Sequence, residues 1–355
     1  LDVVDRSLLF KNYVYVSGTS PVLVSHFQQY TLDITQMVSL TSEDLVIDIG
    51  SNDGTLLAFF KDEGCRILGI DPAESIADTA TQSGIETLPV FFNAKEAETL
   101  LHARGPAKVI MANNVFAHID DLVDFTCGIK TLMTLDSLFV FEVSYLVNVY
   151  ERTLFDTIYH EHLSYHSIIS LQPFLKRLGL ELFHVQRVPT HGGSIRCFVQ
   201  LTNGPYQQNP SIQNCIDKEI ELGLNSTRAM SQFNRQINSI KTELCSLLTD
   251  IQAKKQSIAG FGAPAKATTL LYHFEIDPSV INYIVDDNTL KQGLYSPGMH
   301  IPVVSSSVLK DKASCPDYLI ILAWNFAEPI MLNHHYFSDT GGLFIIPLPT
   351  IQVKT

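Results

Sequence analysis

The decapeptide LVIDIGSNDG, Leu45–Gly54, ends an apolar run in an acidic residue and then breaks into a glycine-bounded turn. Leu45 to Ile49 suit a parallel strand covered on both faces, and Gly50 and Gly54 let the backbone turn tightly and approach a ligand closely. A second apolar run, RILGID, closes on Asp71, where the next strand of such a unit places a carboxylate against ribose hydroxyls. The pattern predicts a nucleotide site at the carboxyl ends of an open α/β sheet. It is not G-x-G-x-x-G, however, and Asp48 and Asp53 would hold negative charge against the pyrophosphate of a dinucleotide. A cationic, phosphate-free nucleoside such as S-adenosylmethionine fits better, with Gly50, Ser51, Asn52, Gly54 and Asp71 as its expected contacts.

VIDIGSNDGTLL with the following GID resembles motifs I and II of the class I methyltransferases. Further on, Met111–Ile119 read MANNVFAHI, a strand end followed by Asn113, Asn114 and His118. The resemblance implies that these three line the methionine side of the cofactor.

At 355 residues the chain exceeds a single typical core, so two or three domains are expected. A formal net charge of -13, with no Lys/Arg cluster to offset it, would repel phosphate backbones, so nucleic acid is not an expected partner. No stretch approaches the roughly 18 uninterrupted apolar residues of a membrane span, and the opening LDVVDRSLLF lacks the basic and apolar regions of a signal peptide. A cytoplasmic protein acting on small molecules, without membrane attachment, is expected. Cys65, Cys127, Cys197, Cys215, Cys245 and Cys315 stand singly, which points to buried free thiols rather than a metal cage or a disulfide framework.

From Leu45 to about Gln200 apolar runs (LVIDIG, RILGID, KVIMAN, LFVFEV, LELFHV, SIRCFVQL) alternate with amphipathic stretches, as in an α/β domain. Between Pro210 and Lys255 no proline intervenes, and Met230, Phe233, Ile237, Ile240, Leu244, Leu247 and Ile251 recur at three-four spacing. That predicts one long helix with one apolar stripe. Packing against two domains of its own chain is preferred over a coiled-coil seam, since the stripe spans only about three heptads; a monomer is expected. SIAGFGAP, INYIVDD, YLIILAW and LFIIPL then predict a second α/β unit. The expected fold is therefore α/β, with two Rossmann-like domains (residues 41–205 and 257–355), a helical connector (206–256) and an N-terminal aromatic arm (1–40). Tyr13, Tyr15 and Phe27 are too apolar for a free tail, so the arm is expected to lie over the active site.

Gly260-Phe-Gly262-Ala-Pro-Ala265 matches G-x-G-x-x-A, with Asp286 and Asp287 about twenty residues on. Pro264 would suit a first helical turn, and the N–H groups there with Lys266 would form an anion site. An NAD-linked oxidoreductase is the alternative this turn raises. Lys291, in a turn-rich segment from Val285 to Val303, could complete the pocket or belong to an ordinary loop.

Phe155–Ser167 read FDTIYHEHLSYHS, which crowds Tyr159, His160, Glu161, His162, Tyr165 and His166 together. A neutral imidazole can accept a proton near pH 7, a carboxylate can orient it, and a phenol can donate to a developing oxyanion. Together they suit proton abstraction next to a carbonyl. Metal ligation by the histidines is disfavoured, because neither a nearby cysteine nor an H-x-x-x-H helix pattern backed by a glutamate further along supports it. His191, in THGGSIR, could contact substrate or mark a simple turn.

YVYVSGTS, IDIGSNDG, FDTIYHEHLSYHS, THGGSIR, GFGAPAK and VDDNTLKQGLYSPG, in this order, closely resemble the sugar-nucleotide C-methyltransferases, which methylate TDP-linked 4-keto-deoxyhexoses. The resemblance implies S-adenosylmethionine on the first half and the nucleotide sugar on the second half and the arm, with Tyr13, Tyr15, His191, Gly262, Lys266, Asp286 and Lys291 as candidate contacts. It also implies His162 as the base, with Tyr159 and Glu161 beside it; C3 is the expected methylated carbon, and the sequence leaves C5 open as the alternative. Members of that family usually begin with a small zinc domain on paired cysteines, and residues 1–40 resemble the stretch just beyond that domain. Zinc is thus expected only where such a domain is present, and no zinc ligand is assigned here.

Overall fold

The computed structural model describes residues 4–11 and 16–355, apart from the side chain of His191, so Tyr13 and Tyr15 lie outside the described residues. The chain divides into two compact units, one of residues 1–147 and 160–225 and the other of residues 148–159 and 226–355.

In the first unit, strands β1 (Leu45–Ile49), β2 (Arg66–Ile70), β3 (Thr87–Leu88), β4 (Ala107–Asn113), β5 (Met133–Ser144), β6 (Leu180–Val188) and β7 (Ser194–Leu201) form one sheet in the order β3-β2-β1-β4-β5-β7-β6. The pairs from β3 to β5 are parallel, and β7 runs antiparallel to both neighbours. Every residue of β1 is buried, as a central parallel strand requires. Alternate residues feed two cores. Ile47, Ile49, Ile110, Phe139 and Phe141 pack on one face, and Val46, Val109, Met111, Leu138 and Val140 on the other, under Leu23, Phe27, Tyr30 and Ile34.

Those last four belong to a helix, Pro21–Met37, whose Ser20 cap accepts the Leu23 N–H and whose first position is proline. The second half of the expected arm is thus a core helix. The reason is its three-four spacing of large apolar side chains, which packs against one face of the sheet together with Leu56, Leu57 and Phe60.

The second unit has β8 (Ile258–Phe261), β9 (Ile284–Val285), β10 (Val303–Val304), β11 (Tyr318–Ile321), β12 (Leu343–Ile346) and β13 (Gln352–Lys354) in the order β10-β9-β8-β11-β12-β13, parallel except at β13. Both sheets therefore reverse direction between their first and fourth strands, and the carboxyl ends there form the crevice that holds ligands in such folds.

The single long helix expected from Pro210 onward is two helices, Ser211–Glu221 in the first unit and Thr227–Ala253 in the second. Gly223, at φ +68°, ends the first of them in a left-handed turn. In the second helix the buried positions are Ala229, Phe233, Ile237, Ile240, Leu244, Leu248 and Ile251. Leu248 replaces the expected Leu247, and Met230 is 42% exposed. Among the described residues no helix is long and apolar enough to cross a membrane.

Candidate active site

The turn after β1 is built by its glycines. Gly50 takes φ +74° and donates its N–H to Ile70 O at 2.7 Å, and a Cβ there would lie 2.3 Å from Val115 Cγ2. Only glycine fits. Asp71, at the end of β2, ties the turn down: its Oδ2 accepts the Asn52 N–H and its Oδ1 the Ala73 N–H, both at 2.9 Å. Burial raises its carboxyl above the usual range, partly offset by those two N–H groups. Each oxygen keeps further accepting capacity for a ribose hydroxyl.

Beneath the turn, Asp48 is 4% exposed, and its pKa is pushed up to about 8 by burial and by the charge of Asp71. Its Oδ1 and the buried Ser51 Oγ lack a hydrogen-bond partner. A glycine cradle over a buried carboxyl that a nearby cation would help to ionise suits a cationic ligand.

Asn52 and Asp53 have a second task. Asn52 Oδ1 accepts the Ser17 N–H and Asp53 Oδ2 the Gly18 N–H, each at 2.9 Å, while Asp53 Oδ1 accepts the Thr55 hydroxyl at 2.7 Å. Gly18 leaves no room for a side chain, because a Cβ would stand 2.6 Å from Asp53 Oδ2. The acidic residue that argued against a pyrophosphate is thus also a clamp on the segment just after residues 12–15.

At the end of β4, Asn113 Oδ1 accepts the Glu142 N–H at 3.1 Å, and Asn114, at φ +57°, donates its N–H to Glu142 O at 2.8 Å. A short turn, Phe116–His118, comes next. Ala117 O accepts the N–H of Leu163 at 2.8 Å, which seats the HEHLSYH stretch on this turn. His118 and His162 thereby meet with ring centroids 4.9 Å apart. His118 Nδ1 lies 2.7 Å from Glu161 O. A carbonyl only accepts, so Nδ1 carries a proton in this contact. Asp5, Arg6, Phe10, His118, His160 and Glu161 line a cleft of about 310 Å³ beside this pair. Tyr159 is the last residue of the segment that belongs to the second unit, so the contiguous Tyr159, Glu161 and His162 divide between the two units.

His166 is a structural member of the cluster. Its Nε2 is 3.0 Å from Ser164 Oγ, and its ring packs on Phe116. Burial pushes its pKa down to about 4, against a backbone hydrogen bond at Phe116 that raises it. The folded value lies below the ordinary 6.5, so the contribution to stability is complete above that pH and is lost as pH falls toward 4. The melting temperature should decline across this window, and His166→Gln should flatten the decline. An unaltered slope in that variant would assign the acid sensitivity to other groups.

In the second unit Gly262 repeats the device of Gly50: φ is +86°, its N–H reaches Val285 O at 2.7 Å, and a Cβ would fall 2.6 Å from Ala323 Cβ. Asp286 repeats Asp71, accepting the N–H groups of Ala263 and Asn288, both at 2.8 Å. Lys291 Nζ donates to Ala263 O at 3.1 Å and lies 3.5 Å from Asp286 Oδ2, so it braces the turn. Pro264 precedes the helix, Ala267–His273, instead of occupying its first turn. The Lys266 ammonium is 3.0 Å from Asp156 Oδ2 and 4.7 Å from the Trp324 ring centroid.

One group escaped the sequence reading. Glu142 on β5 and Arg196 on β7 are register partners, and Arg196 Nε donates to Glu142 Oε1 at 2.7 Å. His26 Nε2 lies 2.9 Å from Glu142 Oε2, Arg196 Nη1 2.8 Å from Asp33 Oδ2, and the guanidinium 4.1 Å above the Tyr30 ring. Charged residues inside the runs LFVFEV and SIRCFVQL were the available signal. Among the described residues no group of three or more His, Cys, Asp or Glu could hold a metal ion.

A sheet of this order, with a glycine turn after its first strand, an acid ending its second and imidazoles past its fourth, defines a methyltransferase unit. The methyltransferase domain family matches residues 25–185, and the family described as the C-methyltransferase C-terminal domain matches residues 189–349. The C-methyltransferase NovU of Streptomyces niveus is 33% identical over 351 residues, 99% of this chain and 83% of that protein. The chain belongs to the S-adenosylmethionine-dependent C-methyltransferases.

Among solved structures, magnesium protoporphyrin IX methyltransferase of Synechocystis PCC 6803 is 13% identical, with a TM-score of 0.40 over 54% of this chain and 90% of that one. The CcbJ methyltransferase of Streptomyces caelestis is 14% identical, with a TM-score of 0.40 over 50% and 89%. Family membership leaves the NAD-linked reading of the Gly260 turn without support. The first unit fits S-adenosylmethionine: Gly50 and Gly54 would admit it, Asp71 would take its ribose, and Asp48, Asn113 and Asn114 line the adjoining strand ends.

Proposed function

We propose that the protein methylates the carbon next to the keto group of a TDP-linked 4-keto-deoxyhexose, C3 foremost, through an enolate. The observation that carries this reading is the His118–His162 pair held on the Ala117 turn past β4. An imidazole that must remove a carbon-bound proton needs a fixed ring and an available acceptor nitrogen. In this reading His162 takes the proton from C3, and the C–H electron pair becomes the enolate. Glu161 supports the imidazolium that results, and the Tyr159 hydroxyl donates to the enolate oxygen. S-adenosylmethionine supplies an electrophilic methyl whose leaving group is a neutral thioether. The enolate carbon then forms the new C–C bond as the C–S bond breaks. Nucleotide-sugar recognition rests on the motif resemblance, and the Gly262 turn with Asp286 is its candidate seat in the second unit. The packing of His118 against His162 supports one second reading, in which His118 is the base and His162 its partner.

Incubation with methyl-labelled cofactor and a panel of TDP-4-keto-deoxyhexoses tests this. A C-methyl singlet in the product, and solvent deuterium entering C3 when S-adenosylhomocysteine replaces the methyl donor, are expected. Labelled O-methyl products would retire the enolate, and no labelled sugar from any panel member would retire the substrate class.

A further inference from the structure

The first five residues of FDTIYHEH, Phe155–Tyr159, meet GAPAK within the second unit. Asp156 is fully buried, at 0% exposure. A carboxylate so placed requires charge and hydrogen-bond partners. It has both on one oxygen: Oδ2 accepts the Trp324 indole N–H at 2.7 Å and faces Lys266 Nζ at 3.0 Å, while Oδ1 has no partner. The ammonium also lies 4.7 Å from the Trp324 ring centroid, so one cation ties the acid and the indole together. The neighbouring Phe155 wedges edge-on against His273 and Phe274, at 4.9 and 5.5 Å. The turn Phe155–Thr157 is thereby fastened to the helix Ala267–His273 and to Trp324, just past β11. Tyr159 comes two residues later, and there the chain leaves the second unit for the first.

This arrangement argues against the anion site that GAPAK suggested. The Lys266 charge is already balanced by Asp156, and turning it to a phosphate would leave a fully buried carboxylate without its cation. We infer that Lys266, Asp156 and Trp324 form an anchor that sets the position of the segment Phe155–Tyr159, which carries Tyr159, so that Lys266 is a positioning residue and not a phosphate ligand.

The role assigned to that segment rests on the proposed function; the anchor itself does not, and the test separates the two. Lys266→Met, Lys266→Arg and Asp156→Asn are compared with the unaltered protein by three readouts: amide hydrogen exchange over residues 155–163, TDP and S-adenosylhomocysteine affinity, and turnover. Lys266→Met should speed exchange across that segment and lower kcat by up to about 10²-fold, as a misplaced catalytic group does. TDP affinity should stay within about threefold, since no binding contact is removed. Asp156→Asn should repeat this pattern, and Lys266→Arg, which keeps the charge and stacks on the indole, should restore most of it. Should Lys266→Met fail to fold, Asp156→Asn carries the same comparison.

Unchanged exchange together with a TDP affinity weakened about tenfold in Lys266→Met alone would overturn the anchor and restore a phosphate ligand. If the unaltered protein methylates no TDP-sugar, the function reading fails while the exchange comparison still decides the anchor.

Discussion

Replacing His162 by alanine should lower turnover by about 10²- to 10⁴-fold, the usual loss when a general base is removed, while leaving S-adenosylhomocysteine affinity unchanged. The separation is expected because the cofactor turn, with Gly50, Asp71 and Asn52, is held by its own hydrogen bonds to β2, and His162 takes no part in them. Deuterium incorporation at C3 should fall in parallel with methyl transfer, since in the proposed mechanism both pass through the enolate. His118→Ala is the informative companion. Its ring shares the site at 4.9 Å and holds the Glu161 carbonyl, so its loss should disturb the position of Glu161 and His162 as well. Near-normal exchange in His162→Ala, combined with abolished exchange in His118→Ala, would transfer the base to His118. Near-normal turnover in both would remove imidazole catalysis from the mechanism.

The strands at the heart of each sheet were legible because parallel strands buried on both faces leave unbroken apolar runs, as in LVIDI and YLII. β3 and β10, with two residues each, and the exposed β13 were not set apart as strands by any run of their own, whereas INYIVDD marked the equally short β9. The break at Gly223 carried a signal, LGLNS, that the apolar stripe on either side outweighed.

For the site, Asp71 and the glycine turn were readable since their spacing along the chain is set by one strand, one turn and one helix. The meeting of His118 with His162 was not, because it depends on contacts across more than forty residues of chain, such as the Leu163 N–H to Ala117 O bond and the contact of His118 Nδ1 with Glu161 O. Lys266 shows the same limit more sharply. A lysine after a glycine turn reads as a phosphate ligand, and nothing local announces that a distant aspartate neutralises it.

Arg196 carries the largest stability prediction. Its side chain is 2% exposed and that of Glu142 1%, and two such charges remain buried only because each satisfies the other. The Glu142 carboxyl, which burial alone would raise, is held below the usual range by the His26 hydrogen bond and the Arg196 charge. Arg196→Ala would leave Glu142 with His26 alone, take from Asp33 on the helix Pro21–Met37 its guanidinium partner, and strip the cation from the face of Tyr30. Removing one member of a buried pair typically costs about 3–5 kcal/mol, so a fall in melting temperature on the order of 10 °C is expected.

The chain has a single tryptophan, Trp324, which lies in the second unit. Loss of far-ultraviolet circular dichroism at lower temperature, with Trp324 emission melting as before, would place the damage in the first unit. The double variant Arg196→Met with Glu142→Leu should be less damaged than Arg196→Ala, because no charge is left buried without a partner. A single variant within about 1 kcal/mol of the unaltered protein would show instead that water reaches Glu142 once the guanidinium is gone, and the helix Pro21–Met37 would then owe its place to Leu23, Phe27, Tyr30 and Ile34 alone.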